Sequence, residues 1–194
     1  MQPADMKTLI RLAALAALAL LIVACASTRK DAPMPGPALA EVDLPRFMGR
    51  WWVIANIPYF AERGKLASSD NYSLREDGRI DVVYAYRKSF EEVEERTLNA
   101  WARPLPDTGN AHWRQRFFGI FSVELQVLEI DASYRWALIG NPKRSLAWVF
   151  AREPVMEDAE YARVVERLRR FGYDPASLER IPQTPEQVGQ PGFQ

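Results

Sequence analysis

Apolar and polar residues alternate along a series of short segments in this chain. The pattern is clearest in two neighbouring segments, DNYSLR at 70–75 and RIDVVYAYR at 79–87, which are separated by the turn-forming Glu76-Asp77-Gly78. Because side chains two positions apart lie on the same face of a strand, this pattern predicts a β-hairpin with one apolar face. Eight such segments follow one another: 51–57, 70–75, 79–87, 92–103, 111–118, 122–130, 134–139 and 146–151.

The connections between these segments are short, and none of them has the apolar spacing of a helix. Consecutive strands without intervening helices predict an antiparallel sheet in which each strand pairs with the next. Eight such strands can close into a barrel, which leaves no free sheet edge and encloses room for one small ligand. We therefore expect an all-β fold.

The apolar spacing changes to that of a helix only after the eighth segment. Glu157 and Asp158 favour a helix start, and Gly172 favours its end. The apolar positions between them predict one amphipathic helix that covers one side of the barrel: Tyr161, Val164, Val165, Leu168 and Phe171. We expect a short strand near 177–181 and a loose tail over 183–194.

The N-terminus has the pattern of a secretion signal. Lys7 and Arg11 precede thirteen consecutive apolar residues at 12–24. A helix of that length spans roughly 20 Å, well short of the ~30 Å hydrocarbon core of a bilayer. Residues 1–24 are therefore predicted to be a signal peptide rather than a transmembrane anchor.

Cys25 follows this segment directly and is the only cysteine, so the chain cannot form an intramolecular disulfide. The sequence LIVAC at 21–25 resembles the lipobox of bacterial lipoproteins. That resemblance implies cleavage after Ala24 and acylation of Cys25, and Ala26 in the next position favours the outer membrane. More than one buried acyl chain gives stable anchoring. The proline-rich segment that follows predicts a flexible tether over 25–43.

Charge and composition exclude several classes of function. The formal net charge is +0, whereas a nucleic-acid-binding protein normally carries a basic excess on one face. His112 is the only histidine, and the alternation of its strand places it on the outward face. We find no metal-ligand cluster, phosphate-binding loop or nucleophile motif, so we expect no cofactor, no metal and no catalytic residues.

Three blocks in order along the chain resemble the lipocalin family. They are Gly49-Arg50-Trp51, the stretch from Asp131 to Leu138 and the stretch from Ala147 to Arg152. Together with the lipobox, they are similar to the outer-membrane lipoprotein lipocalins of bacteria, which are related to apolipoprotein D. The resemblance implies an eight-stranded antiparallel up-and-down lipocalin barrel over 44–182, with one C-terminal α-helix packed on its side.

The resemblance also assigns structural roles to the residues of these blocks. Trp51 is expected to pack at the closed end of the barrel, with Arg152 lying across it in a cation–π contact. The residues that form this structural signature are Gly49, Trp51, Asp131, Tyr134 and Arg152. We expect their loss to cost stability rather than ligand specificity.

The ligand site implied by this fold is the barrel interior and its open end. Such pockets are apolar with a few placed polar groups, which Tyr84, Gln115 and Gln126 can supply. Alternation and alignment predict the following ligand-binding residues: Tyr59, Phe60, Tyr72, Tyr84, Tyr86, Leu98, Trp113, Gln115, Phe117, Phe121, Gln126 and Leu128. A fatty acid or lysophospholipid suits this lining.

The leading hypothesis is a lipid-binding, non-enzymatic protein, anchored to the outer membrane through Cys25 and facing the periplasm, that stores or transports lipid for envelope maintenance. One alternative is a lipocalin-fold enzyme of the isomerase type, which needs a placed nucleophile or acid–base pair. The other is an interaction or homodimerisation module that uses Trp101 and Phe118 outside the barrel.

Overall fold

A computed structural model describes residues 37–60 and 62–194. The predicted signal peptide and Cys25 lie outside these residues. The elements in chain order are α1 (Leu44–Phe47), β1 (Gly49–Asn56), β2 (Leu66–Leu74), β3 (Ile80–Arg87), β4 (Arg96–Pro104), β5 (His112–Phe117), β6 (Phe121–Ile130), β7 (Trp136–Gly140), β8 (Ala147–Ala151), α2 (Asp158–Glu166) and the two-residue β9 (Glu179–Arg180).

Each of the strands from β2 to β7 pairs antiparallel with the next one in sequence. Strand β1 closes the ring, because it pairs with β2 over Gly49–Trp52 and with β8 over Trp52–Asn56. This confirms the predicted eight-stranded up-and-down barrel. Strand β9 pairs with the end of β1, near the position predicted for a short strand.

Apolar side chains form two layers on opposite faces of the barrel wall. The inner layer includes Trp51, Val82 and Ile139. The outer layer lies beneath the C-terminal helix and includes Leu138 and Val149. Because side chains alternate between the two faces of each strand, the same sheet contributes residues to both layers.

The predicted helix is present and packs on the outer layer through Val164, Val165 and Leu168. It continues beyond α2 as a 3₁₀ turn over Arg167–Phe171 and ends at Gly172, whose φ of 80° suits a left-handed C-terminal cap. No helix among the described residues has the length and apolar character needed to cross a membrane.

A cluster of aromatic rings closes one end of the barrel. Phe47 of α1 lies 5.0 Å from Trp51, 5.4 Å from Tyr72 and 5.2 Å from Trp113, measured between ring centroids. The contacts with Tyr72 and Trp113 are edge-to-face, a favourable geometry for aromatic pairs. The Trp51 indole N–H donates to the carbonyl of Phe47 at 2.7 Å, which fixes α1 against the base.

Arg152 seals this closed end from outside. Its guanidinium carbon lies 3.8 Å from the Trp51 ring centroid. The same group donates hydrogen bonds to the carbonyls of Arg46, Phe47, Met48 and Arg50 at 2.8–3.2 Å. One side chain therefore joins α1, β1 and the end of β8.

The other residues of the structural signature support the same end of the barrel. Gly49 has φ 91°, a conformation that favours glycine, and a Cβ there would lie 3.5 Å from the Arg152 guanidinium. The Asp131 carboxylate accepts hydrogen bonds from the backbone N–H groups of Ser133 and Arg135, which shapes the turn before β7. The Tyr134 hydroxyl accepts one from the Asp43 N–H at 2.9 Å.

Both ends of the described chain form hydrogen bonds with the barrel. Within the predicted tether, Ala40 and Val42 donate backbone hydrogen bonds to Val127 and Gly109. At the other end, the Gln183 amide donates to the carbonyls of Val53 and Ser68. Strands β1 and β2 pair only over Gly49–Trp52 and diverge beyond Trp52. The C-terminal tail forms hydrogen bonds with backbone groups that the two strands no longer share there.

Replacing Arg152 with alanine should destabilise the fold strongly. The change removes four hydrogen bonds and a cation–π contact, so we expect Arg152→Ala to lower the free energy of unfolding by about 2–4 kcal/mol. Arg135→Ala is the control, because Arg135 forms exposed ion pairs with Asp131 and Glu160, and such pairs contribute about 0–1 kcal/mol each. Urea unfolding followed by tryptophan fluorescence measures both, and equal losses would contradict this role for Arg152.

Candidate functional site

The barrel has one closed and one open end, which the chain direction defines. Strand β1 runs away from the aromatic base, so the connections that follow β1, β3, β5 and β7 all lie at the opposite end. These four loops, 57–65, 88–95, 118–120 and 141–146, surround the mouth of the barrel. The candidate site is the lumen between this mouth and the aromatic base.

Two of the expected ligand-binding residues do not face the lumen. Gln126 pairs with outward-facing His112, and Leu128 packs in the outer layer. The expectation is therefore wrong for both residues. The lumen-facing positions of β6 are instead Phe121, Val123, Leu125 and Val127, which pair with or pack against inward residues of the neighbouring strands.

Two other expected residues lie at the base of the lumen. Tyr72 and Trp113 are 4% and 3% exposed, and both belong to the aromatic cluster around Phe47. The Trp113 indole N–H also donates to the carbonyl of Asn110 at 2.5 Å. These side chains form the closed bottom of the lumen and limit how deep a ligand could enter.

One wall of the lumen is mainly apolar. Leu98 and Ala100 of β4 are partly buried against the inner layer, and Ala100 pairs with Phe117 of β5. Gln115 is the polar exception: it is 6% exposed, and its side-chain oxygen has no hydrogen-bond partner among the described residues. At the mouth, Phe121 and Phe60 are 63% and 93% exposed.

The opposite wall carries a buried carboxyl group, Glu62, which sequence reasoning missed. One of its oxygens accepts hydrogen bonds from the Asn56 amide at 2.5 Å and the Trp148 indole N–H at 2.9 Å. The other accepts one from the Tyr59 hydroxyl at 3.1 Å. Glu62 therefore holds the loop between β1 and β2 against the barrel through three neutral donors.

Burial shifts the titration of this group and its neighbours. Desolvation raises the pKa of Glu62, although the three donors partly offset the effect. Burial and the adjacent Glu62 carboxyl together raise the pKa of the Tyr59 hydroxyl. Hydrogen bonds to the Glu62 carboxyl therefore hold the loop, and burial disfavours the charged form of that carboxyl.

Asp70 is a second carboxyl group on the same wall. It pairs with Trp51 on one side and Tyr84 on the other, and both of these residues face the lumen. Burial and the nearby Glu62 raise the pKa of Asp70 to about 8. Asp70 is therefore mainly protonated at neutral pH and can donate a hydrogen bond into the lumen.

A lysine and two tyrosines complete this wall towards the mouth. The Lys65 ammonium lies 4.8 Å from the Tyr84 ring centroid and 3.6 Å from that of Tyr86, and the two rings stack on each other. The Tyr84 hydroxyl is 3.1 Å from the hydroxyl of Ser68. Burial lowers the pKa of Lys65, and Glu62 opposes this shift.

The lumen therefore has two sides of different chemistry. Among residues 37–60 and 62–194, no group of three or more potential ligand side chains is arranged to hold a metal ion. His112 lies outside the lumen, 3.1 Å from the Glu124 carboxylate.

The alternation of β2 already contained the signal for Asp70. Tyr72 was expected to face the ligand site, and Asp70 lies two positions before Tyr72. A carboxyl at an inward position is uncommon and points to a polar group in the lumen. Glu62 gave no such signal, because it lies in a loop without alternation.

Asp70 should make the stability of the protein depend on pH. The pKa of Asp70 in the folded state is above the unfolded value of about 3.9. The stability that protonated Asp70 contributes is therefore fully present below about pH 3.9 and is lost as the pH rises through about 8. We expect the free energy of unfolding to fall across this window by up to about 1.4 kcal/mol per pH unit. Asp70→Asn should flatten the fall and stabilise the protein at pH 8.

Urea unfolding at a series of pH values checks this expectation. Asp81→Asn is the control, because Asp81 is an exposed carboxylate on the adjacent strand β3, paired with Arg75. Glu62 remains in both variants and leaves a residual slope. If Asp70→Asn and Asp81→Asn gave the same slope as the unaltered chain, Asp70 would not be buried as described.

Comparison with known proteins agrees with this architecture. The family model of the lipocalin-like domain matches residues 42–183. The chain is 31% identical over 163 residues to the outer membrane lipoprotein Blc of Citrobacter freundii, covering 82% of this chain and 89% of that protein. It is likewise 31% identical over 170 residues to Blc of Escherichia coli strain K12, covering 86% and 92%.

Among solved structures, insecticyanin from the tobacco hornworm Manduca sexta superimposes with a TM-score of 0.60 at 18% identity. The match covers 78% of this chain and 89% of that one, and at this identity it supports the fold alone. The family model over residues 42–183 and the 31% identity to the bacterial relatives show the family as well as the fold. The chain belongs to the lipocalin family.

Proposed function

We propose that this protein binds a single-chain lipid, a fatty acid or a lysophospholipid, in its lumen and stores or carries it for maintenance of the cell envelope. The observation that carries the proposal is the two-sided lumen: an apolar wall around Ala100 of β4 lies beside a polar wall on which Lys65 rests against Tyr84 and Tyr86 of β3, near the mouth. A lipid with one acyl chain has the same division into apolar and polar parts.

The apolar wall suits the acyl chain. Leu98, Ala100 and Phe117 line the path from the mouth towards the aromatic base. Each methylene that leaves water contributes about 0.8 kcal/mol, so a chain of many methylenes supplies most of the binding free energy. The base formed by Trp51 and Tyr72 limits how far the chain can enter.

The polar group of the lipid would lie near Lys65. The ammonium of this residue is the cationic group on the polar wall, and it rests on the faces of Tyr84 and Tyr86. A carboxylate or a phosphate at the mouth would gain a charge-assisted hydrogen bond from it. An anionic group at the aromatic base around Trp51 and Tyr72 would lose its hydration without gaining a cationic partner, which sets the direction of the lipid.

The proposed location is the periplasmic face of the outer membrane. Two relatives that this chain resembles are named outer membrane lipoproteins. The sequence LIVAC at 21–25 and Ala26 support the same location for this chain, with Cys25 carrying the acyl anchor. An anchored carrier would act close to the membrane from which its ligand comes.

Catalysis on a bound lipid is the second candidate, and Asp70 is the observation that favours it. A lumen-facing carboxyl with a pKa near neutrality is a usual requirement for acid–base chemistry. Under this alternative, lipid recovered after incubation would be chemically altered, and Asp70→Asn would abolish the change. Under the binding proposal, the recovered lipid is unchanged.

Filling the lumen should abolish lipid binding, and two neighbouring positions allow a matched test. Ala100 faces the lumen, whereas Asn99 lies on the outer face of the same strand and is exposed. We expect Ala100→Trp to weaken displacement of a fluorescent lipid probe by fatty acid at least about tenfold, which corresponds to ~1.4 kcal/mol. Asn99→Trp should leave the affinity unchanged, and equal effects would contradict a site in the lumen.

Removing the charge of Lys65 should affect anionic lipids selectively. We expect Lys65→Gln to weaken the affinity for a fatty acid by about fivefold to tenfold, because one charge-assisted hydrogen bond is lost. The affinity for the fatty alcohol of the same length should change little. Competition titrations with both ligands measure this, and an equal loss for the two would show that Lys65 does not contact the polar group.

A further inference from the structure

Five large apolar side chains at the open end are strongly exposed to solvent, and one of them, Val93, lies in the loop between β3 and β4. Phe118, Ile120 and Phe121 lie at the tip of the β5–β6 hairpin, with 63–77% of their surface exposed, and Phe60 of the loop between β1 and β2 is 93% exposed. We call these four residues the apolar rim. The two loops lie on opposite sides of the mouth, because four strands separate them around the eight-stranded ring.

The fold itself does not require apolar residues at these positions. Phe118 has φ 51°, a conformation that is uncommon for a bulky residue and more frequent for Asn, Asp and Gly. A polar residue would therefore suit this turn better and would avoid exposing a ring to water. An exposed apolar cluster of this kind marks a surface that contacts another apolar phase or partner.

The cation next to the hairpin tip fits a membrane surface, although the 88–95 loop at the mouth carries four glutamates. Arg114 is paired with the Glu124 carboxylate at 3.0 Å, whereas Arg116 forms no ion pair among the described residues. Arg116 is exposed, and its guanidinium lies 5.5 Å from the Trp101 ring centroid on the outer wall. An apolar tip followed by Arg116 matches the depth profile of a bilayer, in which rings enter the acyl boundary and cations remain among the headgroups.

The length of chain between the anchor and the barrel permits this orientation. Twelve peptide steps separate Cys25 from Pro37, where the described chain begins, and they reach at most about 40 Å. The longest strand, β6, has ten residues and is about 33 Å long, and strands of a barrel are tilted to its axis. The tether can therefore reach past the barrel, so the mouth can face the membrane that holds Cys25.

We propose that the apolar rim docks on the surface of a lipid bilayer, with the mouth of the barrel facing the lipids. A single-chain lipid would then move between bilayer and lumen without crossing bulk water. The inference rests on the proposed function for the identity of the cargo. The docking itself depends only on the rim.

Environment-sensitive fluorescence at single sites tests the docking. In residues 25–194 carrying Cys25→Ser, no cysteine remains, so Ile120→Cys or Val155→Cys provides one labelling site. Val155 is 46% exposed and lies beyond β8 at the closed end. With vesicles of phosphatidylethanolamine and phosphatidylglycerol, we expect a blue shift and brightening of the label at 120 and no change at 155. No response at either site, or the same response at both, would overturn the proposal.

Sedimentation with the same vesicles tests the contribution of the rim. Phe118→Asp should lower the affinity for the vesicles at least about tenfold, since it removes one ring that enters the bilayer on docking, whereas Val155→Asp should leave the affinity unchanged. Aspartate tolerates the backbone conformation at 118, so the variant is expected to fold. Equal binding of both variants would contradict docking through the rim.

Two further measurements separate this inference from the proposed function. Displacement of a fluorescent lipid probe in vesicle-free buffer should be the same for Phe118→Asp and the unaltered chain. If the unaltered chain binds the probe and releases it to lipid, but the label on the Ile120→Cys variant does not respond to vesicles, the docking proposal is wrong and lipid binding is retained. If light scattering shows a dimer and the label at 120 is already shielded in buffer, the rim is a homodimer surface and the proposal is wrong.

Discussion

The whole barrel depends on β1, because this strand pairs with β8 along one edge and with β2 along the other. If either pairing were lost, the sheet would open and the lumen would no longer be enclosed. The aromatic base and Arg152 hold β1 in place at the closed end, where Arg152 joins it to α1 and to the end of β8. At the upper end β1 separates from β2, and β9 with Gln183 bonds the backbone that this leaves free.

Closure also determines the chemistry of the lumen. Because the barrel removes Glu62 and Asp70 from water, their pKa values rise, and the nearby Glu62 carboxyl adds to the rise at Asp70. Glu62 accepts hydrogen bonds from Asn56, Tyr59 and Trp148, and these bonds fix the position of its loop. Asp70 and Lys65 give the polar wall a donor near the base and a cation near the mouth, so the lumen distinguishes the two ends of a bound molecule.

The sequence allowed the strand order and the helix to be predicted, because alternation and helical spacing report which face of an element is buried. The place of Trp51 and Arg152 at the closed end came from the resemblance to lipocalins, and the rest of the aromatic base was not predicted. The register of β6 was not predictable in the same way. Its irregularity between Val127 and Glu129 depends on pairing with β7, so Gln126 and Leu128 were placed on the wrong face. Glu62 and Gln183 were missed because their partners lie far along the chain and their segments have no periodicity. The apolar rim was visible only in part, since Phe118 was expected to be exposed outside the barrel but Phe60 was assigned to the ligand site.

The central claim is that the lumen holds one single-chain lipid, and native mass spectrometry tests it most directly. The protein would be released gently from its own membranes, and the mass of the intact species compared with that of the chain after organic extraction. We predict a mass difference equal to one fatty acid or one lysophospholipid, with the same lipid recovered unchanged in the extract. A species that keeps the mass of the ligand-free chain, even after incubation with these lipids, would contradict the account.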